Sequence, residues 1–539
     1  MIKKIQQDFS YYSHEFKDNY RKGVHRLRTI LASRAQAQAF VSNAGGVAVV
    51  LGYEPETPDK NAQELYALLA ASPYIDDAVQ TFLGSIYEAG AESHDAMYSD
   101  SARCLEILHD PVLSRAAGAG TVSAGKWIAT LAGQSCNLYR DMNAVAASDI
   151  AMTAVAASET AMAAVVSNAT ALNAVVTSQV ALNAVAASET AMAAVIGNVT
   201  ALNAVVTSQA AMNAVAASET AMTAVIANST ALNAVVTSHV AMNAVASSYV
   251  AVAAVYESAV AVETVKANET AWATLTGASS VVMGKAAAKL AGLNPADYAD
   301  MTAIASSSTA MAAIAASQTA MAAIASSSTA MAAIASSSTA MAAVAASYVA
   351  VAAVYGSAVA VDAVKDNETA WATLTGATSA VMGKAVAVLS GLNPDSYADM
   401  TAVASSSTAM AAIASSQTAM AAIASSQTAM TAVASSNTAR TAITNSATAK
   451  NALASSPLKK TVTKGNGNSW ENRTIRNGMG WLINCYNANS GGEAGSTWYK
   501  LDGVQTSQPA GTTNVGKFFT SSLAIYWWSS TSSVTYIPC

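Results

Sequence analysis

Residues 142–161 read MNAVAASDIA MTAVAASETA, and this ten-residue pattern decides the fold of most of the chain. A decapeptide of the form M-x-A-V-x-x-S-x-T-A runs through 15 copies from Met142, nine from Met301 and six from Met400. Larger duplications overlie it, one of 30 residues between Ala157 and Val245 and another of 99 residues. A repeat of fixed length is typical of a protein built from stacked copies of one structural unit. We therefore predict a repeat shaft over residues 142–456.

Composition and the placement of charges predict that each decad is helical. Alanine and methionine are good helix formers, and the aromatic residues that favour strands are nearly absent from the decads. Between residues 149 and 256 every acidic side chain directly follows a serine, as expected for an N-cap with an acid in the first helical turn. The predicted N-caps are Ser148, Ser158, Ser188 and Ser218, and Asn268 and Asn367 repeat the pattern.

Two interruptions of the repeat carry helix-end signals of their own. They read VMGKAAAKLAGLNPADYAD and VMGKAVAVLSGLNPDSYAD. We expect each helix to stop at Gly292 or Gly391 and to restart at an asparagine N-cap followed by proline. The predicted restarts are Asn294-Pro295 and Asn393-Pro394.

Ten residues do not make three full helical turns, which need nearly 11 at about 3.6 residues per turn. Either the helix breaks at each serine and gives a stack of short helices, or parallel helices from several chains overwind about one another. A β-solenoid is the alternative, although the adjacent apolar pair Ala144-Val145 does not fit strand alternation. In each case we expect methionine, valine and alanine to be buried and serine, threonine and asparagine to lie outside, in an elongated rod. The stripe should open to water where Arg440 and Lys450 replace methionine.

The two ends of the chain differ from the shaft. Residues 1–141 have ordinary composition with apolar residues at helical spacing, which predicts a helical N-terminal attachment domain. Its first segment mixes Lys and Arg with Asp and Glu, which is typical of a solvated helix face, so we expect no nucleic-acid binding. Residues 457–463 are predicted to be a linker. Residues 464–539 hold five of the eight tryptophans, many glycines and alternating segments, which predicts a small β-rich tip.

Dense aromatic residues in a small domain serve either as core or as a recognition surface. Trp527 and Trp528 are adjacent, and adjacent strand residues point to opposite faces, so one of them is expected to leave the core. The candidate receptor-binding residues are Tyr526, Trp527 and Trp528, followed by Trp498 and Tyr499.

The sequence offers little catalytic chemistry. The five histidines lie far apart, and no histidines or cysteines stand at the short spacings typical of metal ligands. Asp297 and Asp300, like Asp395 and Asp399, could form carboxylate pairs, but first-turn acids of a restarted helix explain them better. We therefore expect no enzymatic activity, no catalytic residue, no cofactor and no metal site.

No apolar run of 18 residues and no signal-peptide pattern is present, and the four cysteines form no CxxC pair. These features predict a protein made in a reducing cytoplasm, without a membrane span.

A helical anchor, a long low-complexity shaft and a small aromatic tip together resemble bacteriophage tail fibres, and the decads are similar to alanine-rich tracts of some of those proteins. The ending Val534-Thr-Tyr-Ile-Pro-Cys539 is similar to the closing strands of several fibre tips. The resemblance implies a virion protein of the tail, commonly a homotrimer, that is made in the host cytoplasm. It further implies that residues 1–141 bind other tail proteins and that residues 464–539 recognise a polysaccharide or protein on the host cell. No functional motif can be carried over residue by residue.

An uncharged stripe of methionine and valine independently favours an oligomer, which we expect to be a homotrimer.

A bacterial surface adhesin or stalk protein is the alternative function, but the export signal or anchor that it needs is not visible. An ice-binding protein is a third class, and the varying Ser, Glu, Gln and Asn of the repeat fit it poorly.

Overall fold

The computed structural model describes residues 10–16, 20–52, 60–87, 93–465, 467–489 and 496–539. The chain divides into two compact units, Met1–Leu275 and Thr276–Cys539. The protein is mainly α-helical and carries a small C-terminal region of two antiparallel sheets, which confirms the predicted fold class.

The first unit begins with short helices that pack around an apolar core. Phe16, Leu27, Phe40 and Leu65 are almost completely buried there. The helices are α1 (10–16), α2 (Tyr20–Ala32), α3 (Arg34–Val41), α4 (Ala44–Leu51), α5 (Lys60–Ala70), α6 (Ile75–Tyr87), α7 (His94–Tyr98), α8 (Ser101–His109) and α9 (Pro111–Ala117).

The decads form one short helix each, most of them eight or nine residues long. Helix α10 (Thr121–Leu131) precedes the first decad. In the first unit and at its boundary the decad helices are α11 (Met142–Ala146), α12 (Asp149–Ala157), α13 (Glu159–Val166), α14 (Ala169–Val176), α15 (Gln179–Ala186), α16 (Glu189–Gly197), α17 (Val199–Thr207), α18 (Gln209–Ala217), α19 (Glu219–Ala227), α20 (Ser229–Thr237), α21 (His239–Ala246), α22 (Tyr249–Glu257), α23 (Ala259–Lys266) and α24 (Glu269–Thr276).

In the second unit they are α25 (Ser280–Leu290), α26 (Met301–Ser306), α27 (Ser308–Ala316), α28 (Gln318–Ser326), α29 (Ser328–Ala335), α30 (Ser338–Ala346), α31 (Tyr348–Tyr355), α32 (Ala358–Lys365), α33 (Glu368–Thr375), α34 (Ser379–Leu389), α35 (Met400–Ser405), α36 (Ser407–Ser415), α37 (Gln417–Ser425), α38 (Gln427–Ser435), α39 (Asn437–Asn445) and α40 (Ala447–Ala454). Residues 142–456, all of which the structure describes, therefore take the broken-helix form rather than that of overwound helices or a β-solenoid.

A single extended residue makes many of the corners between helices. Ser158 has φ −102° and ψ 116°, and it ends α12 and begins α13. Its hydroxyl accepts a hydrogen bond from the amide of Ala161, as an N-cap does. A helix of nine residues and a corner of one account for the ten-residue period. The predicted serine and asparagine N-caps are confirmed.

Three helices make one coil of a solenoid within each unit. Most repeat helices pack against the helix three places later, as α12 does against α15 and α28 does against α31. The capping serines join these coils, because Ser188 also donates a hydrogen bond to the carbonyl of Ala156, 32 residues earlier, at 2.5 Å. The 30-residue sequence duplication therefore corresponds to one coil.

The solenoid core contains the predicted apolar residues, and it also takes in some of the serines. Met311, Ile314 and Ala310 are completely buried and represent the three apolar positions of a decad. The expectation that serine lies outside is wrong for two capping serines, Ser327 and Ser426, which have no exposed surface, whereas most other capping serines are partly buried. These hydroxyls can be buried because each accepts a backbone hydrogen bond.

The interruptions are joints in which a longer helix is followed by a short 3-10 turn. Gly292 and Gly391 end the helices with φ of 73° and 71°, as predicted. The asparagine-proline pairs do not restart the α-helix, because Asn294 begins only the 3-10 turn Pro295–Asp297, and Asn393 begins only Pro394–Ser396. The next helices are capped instead by the Asp300 and Asp399 carboxylates, which accept hydrogen bonds from Ala303 and Ala402.

A third joint lies inside the predicted N-terminal domain. Gly125 of α10 lies against the backbone of Asp141, just as Gly284 lies against Asp300. Gly133 ends α10 with φ 71°, a 3-10 turn follows at Cys136–Leu138, and Asp141 caps α11. The solenoid architecture thus begins at α10, before the first recognisable decad.

The last two solenoid helices, α39 and α40, carry Arg440 and Lys450 where other decads have methionine. Arg440 is half-buried and Lys450 is exposed, and the next regular element after α40 is a strand. The guanidinium of Arg440 donates a hydrogen bond to the carbonyl of Ala434.

Residues 460–538 form a sandwich of two four-stranded antiparallel sheets. One sheet has the order β1-β8-β3-β6 and the other β2-β7-β4-β5. The predicted linker residues 460–463 belong to the first strand. The strands are β1 (Lys460–Thr463), β2 (Glu471–Asn477), β3 (Gly480–Asn487), β4 (Trp498–Leu501), β5 (Val504–Ser507), β6 (Gly511–Phe519), β7 (Ser522–Trp527) and β8 (Ser533–Pro538).

Within the described ranges, no single helix is long and apolar enough to cross a membrane. Nine pairs of consecutive helices would meet the length and composition criteria together, but each pair is bent by 90° to 106°.

Candidate functional site

Strand β7 divides the predicted aromatic residues between two environments. Leu523, Ile525 and Trp527 are buried between the sheets, whereas Tyr526 lies on the opposite face and is only partly buried. Trp528 follows the strand and is also partly buried. The prediction that one of the adjacent tryptophans leaves the core is therefore confirmed.

Two of the five predicted contact residues are core residues. Trp527 has no exposed surface, and its indole Nε1 donates a hydrogen bond to Oε1 of Gln508 at 3.1 Å. Tyr499 is 5% exposed, and burial raises the pKa of its phenol. Both belong to the cluster that joins the two sheets, so neither presents its ring to a partner.

The other three residues meet at one surface, together with Trp470. The ring centroids of Trp470 and Tyr526 lie 4.8 Å apart with planes 10° from parallel, and those of Tyr526 and Trp498 lie 5.3 Å apart at 15°. These separations are close to the spacing of about 4.8 Å between neighbouring strands. The rings therefore stand upright on the sheet, face against face. We call Trp470, Tyr526, Trp498 and Trp528 the aromatic column.

Strand register explains why these rings meet. Trp498 is the direct antiparallel partner of Tyr526, and such cross-strand pairs lie close enough for their side chains to touch. Trp470 precedes β2, whose first residue Glu471 pairs with Trp527, and it therefore reaches Tyr526 diagonally.

The aromatic column ends at Lys500 on one side and at Trp528 on the other. The ammonium of Lys500 lies 4.4 Å from the ring centroid of Trp498, in a cation–π contact. At the other end Trp528 packs against Trp470 with centroids 5.7 Å apart and planes tilted by 56°.

Polar side chains occupy the neighbouring positions of the same sheet. Asn472 is the register partner of Tyr526, Ser507 is that of Trp498, and Gln505 is that of Lys500. All three are exposed. The surface thus combines stacked rings with amide and hydroxyl groups and one cation.

Asp502 holds the turn that follows β4. It has φ 53° and precedes Gly503, which has φ 83°. Its carboxylate accepts hydrogen bonds from the backbone amides of Thr520, Ser521 and Ser522. Burial opposes ionisation of Asp502, but these amide donors outweigh it and lower the pKa to about 2. The contact ties the β4–β5 turn to the β6–β7 turn and so positions the strand that carries Trp498.

The sandwich differs in charge from the rest of the chain. Residues 457–539 contain seven Lys and Arg against three Asp and Glu, a net charge of +4. Because the whole chain carries −6, residues 1–456 carry −10. A positive domain on a negative chain favours anionic partners.

Two members of the site were not predicted from the sequence. In the sequence, Trp470 is one of five tryptophans of residues 464–539, and the pattern around Lys500 does not by itself indicate a contact with an aromatic ring. Trp498 and Lys500 stand two residues apart in a strand, so their shared face was a usable signal. The position of Trp470 depends on the pairing of β2 with β7, which the sequence does not reveal.

In the part of the chain that the structure describes, no group of three or more His, Cys, Asp or Glu residues is placed to hold a metal ion. Burial raises the pKa of the Cys104 and Cys485 thiols to about 12, which keeps them protonated.

No protein-family model matches the chain, and a search of curated proteins finds no match.

Proposed function

We propose that the protein is a structural fibre of a phage tail, whose C-terminal sandwich (457–539) binds a receptor on the host cell through the aromatic column. In this proposal the solenoid holds the sandwich away from the particle, and residues 1–141 bind other tail proteins. The protein is then made in the host cytoplasm, is part of the virion and has no enzymatic role.

The observation that carries the proposal is a row of large aromatic rings on the outer face of a sheet. Antiparallel sheets normally expose polar residues on the face that does not pack on the core. Trp470 is 36% exposed although it is an aromatic residue that a core could accommodate. Tryptophan and tyrosine dominate binding energy at interfaces because they bury large areas with few rotatable bonds.

The proposal is tested by adsorption of the purified full chain, carrying a fluorescent label, to a panel of bacterial strains. We expect saturable binding to some strains, and we expect Trp470→Ser to weaken it at least tenfold. Tyr486→Ser is the matched control, because Tyr486 is an exposed aromatic residue of the other sheet, 41% accessible. Circular dichroism and thermal unfolding establish that both variants fold.

Two results would contradict the proposal. Binding to no strain in a broad panel would contradict host recognition, and equal losses in Trp470→Ser and Tyr486→Ser would contradict the aromatic column as the binding surface.

A further inference from the structure

The rings of the aromatic column have few free faces. Tyr526 lies between Trp470 and Trp498, so both of its faces are covered. Tyr526 covers one face of Trp498, and the Lys500 ammonium, 4.4 Å from the ring centroid, covers the other. Solvent therefore meets the edges of these rings rather than their faces.

At Tyr526 and Trp498 this arrangement leaves no open ring face and favours recognition through the ring edges. A neutral sugar that docks flat on an aromatic ring needs an open face, which Tyr526 and Trp498 do not offer. The edge of an aromatic ring is the positive part of its quadrupole, so a row of edges attracts electron-rich groups. The ammonium of Lys500 adds a full positive charge at the end of this row.

The surroundings fit a chain of hydroxyls and carboxylates. Asn472, Ser507 and Gln505 lie in register beside the rings and offer uncharged donors and acceptors. Such groups suit the hydroxyls of a sugar chain, which both donate and accept hydrogen bonds. The net charge of +4 on residues 457–539 is complementary to a polyanion.

We propose that the aromatic column binds an acidic polysaccharide, whose carboxylates lie against Lys500 and the ring edges and whose hydroxyls bind the neighbouring amides. This inference rests on the proposed function, since it names the class of receptor that the sandwich recognises.

The test uses the full chain with two polysaccharides as probes, alginate, which bears a carboxylate on every sugar, and dextran, which bears none. We expect binding to alginate, no binding to dextran, and a loss of affinity of at least tenfold between low salt and about 0.5 M salt, because added ions screen exposed charges. Lys500→Gln should weaken alginate binding at least fivefold. Lys517→Gln is the matched control, since it removes the same charge from the other sheet and should have no effect on binding.

Three results would overturn the inference. These are equal binding of dextran and alginate, no binding of alginate, and equal losses in the Lys500 and Lys517 variants.

Adsorption to bacteria separates this inference from the proposed function. If protease treatment of the cells abolishes adsorption and periodate oxidation of their glycans does not, the receptor is a protein. The proposed function then stands and the polysaccharide inference fails. Absence of adsorption to every strain contradicts the proposed function itself, whatever the alginate result.

Discussion

Two adjacent serines offer a direct test of how the coils are joined. Ser248 begins α22, where its hydroxyl accepts from the Ala251 amide at 3.4 Å and donates to the Ala216 carbonyl of the preceding coil at 2.6 Å. Ser247 ends α21, is exposed, and donates only to the Asn243 carbonyl of its own helix at 2.7 Å. Alanine at either position removes one serine hydroxyl. At Ser248 the hydroxyl links two coils, and at Ser247 it binds only within its own helix.

The expected cost of Ser248→Ala is about 2 kcal/mol. Because the capping hydrogen bond is long, its loss should cost about 0.5 kcal/mol, which is the low end of the stability changes measured for N-cap substitutions. Loss of the bond between coils leaves the Ala216 carbonyl without its partner, which adds about 1.5 kcal/mol. Ser247→Ala should change stability by less than about 0.5 kcal/mol, because a serine that bonds back to its own helix contributes little.

Native-state hydrogen exchange is the suitable assay, since a long array of repeats opens locally and has no single free energy of unfolding. At 1.4 kcal/mol per factor of ten, Ser248→Ala should accelerate exchange of the α18 and α22 amides, on the two sides of the lost bond, about 30-fold. Amides in α12 and α13 of both variants should exchange as in the parent protein. Equal effects of the two substitutions, within a factor of two, would refute the assignment of the serine as the link between coils.

Three further changes have defined outcomes. Gly284→Ala places a Cβ 2.5 Å from the backbone of Asp300, so it should weaken the joint and lower the midpoint of thermal unfolding. Gly197 has open space around it, and Gly197→Ala should therefore raise stability by up to about 1 kcal/mol. Met321→Ala removes a completely buried side chain and should cost about 3 kcal/mol locally, measured by hydrogen exchange of α28 and α31. The low pKa of Asp502, about 2 in the folded protein against about 4 unfolded, gives stability that is fully present above pH 4 and is lost as pH falls towards 2. Tryptophan fluorescence during acid titration should show this loss, and Asp502→Asn should flatten it.

The local conformation of the repeat was predictable because its signals are local. A serine three residues before an amide that needs an acceptor identifies a helix start without any knowledge of the fold. The Asp300 cap was missed because Asn294-Pro295 carries a stronger start signal, and a 3-10 turn of three residues uses that signal as well as an α-helix does.

The packing of the helices was not predictable in the same way. The number of helices in a coil depends on the angle at each corner, which is set by one extended residue such as Ser158. The 30-residue duplication is evident in the sequence, but only the packing of α12 against α15 shows that 30 residues make one coil. At the sandwich, alternation predicted that Trp527 and Trp528 separate, while the stacking of Trp470 on Tyr526 required the pairing of strands distant in sequence.

The homotrimer remains a prediction, but one argument for it no longer applies. The expectation was that a stripe of Met, Val and Ala needs neighbouring chains to cover it. Met162, Met341 and Met420 are each at most 1% exposed within a single chain, because successive coils cover them. Any oligomer must therefore form through other surfaces, and its disruption should leave the helices intact. Light scattering determines the oligomeric state, and a mass near 54 kDa would refute the trimer. A mass near three times that value would support it. If dilution then dissociates the trimer to monomers and leaves the helical circular dichroism signal unchanged, the chains associate outside the solenoid core.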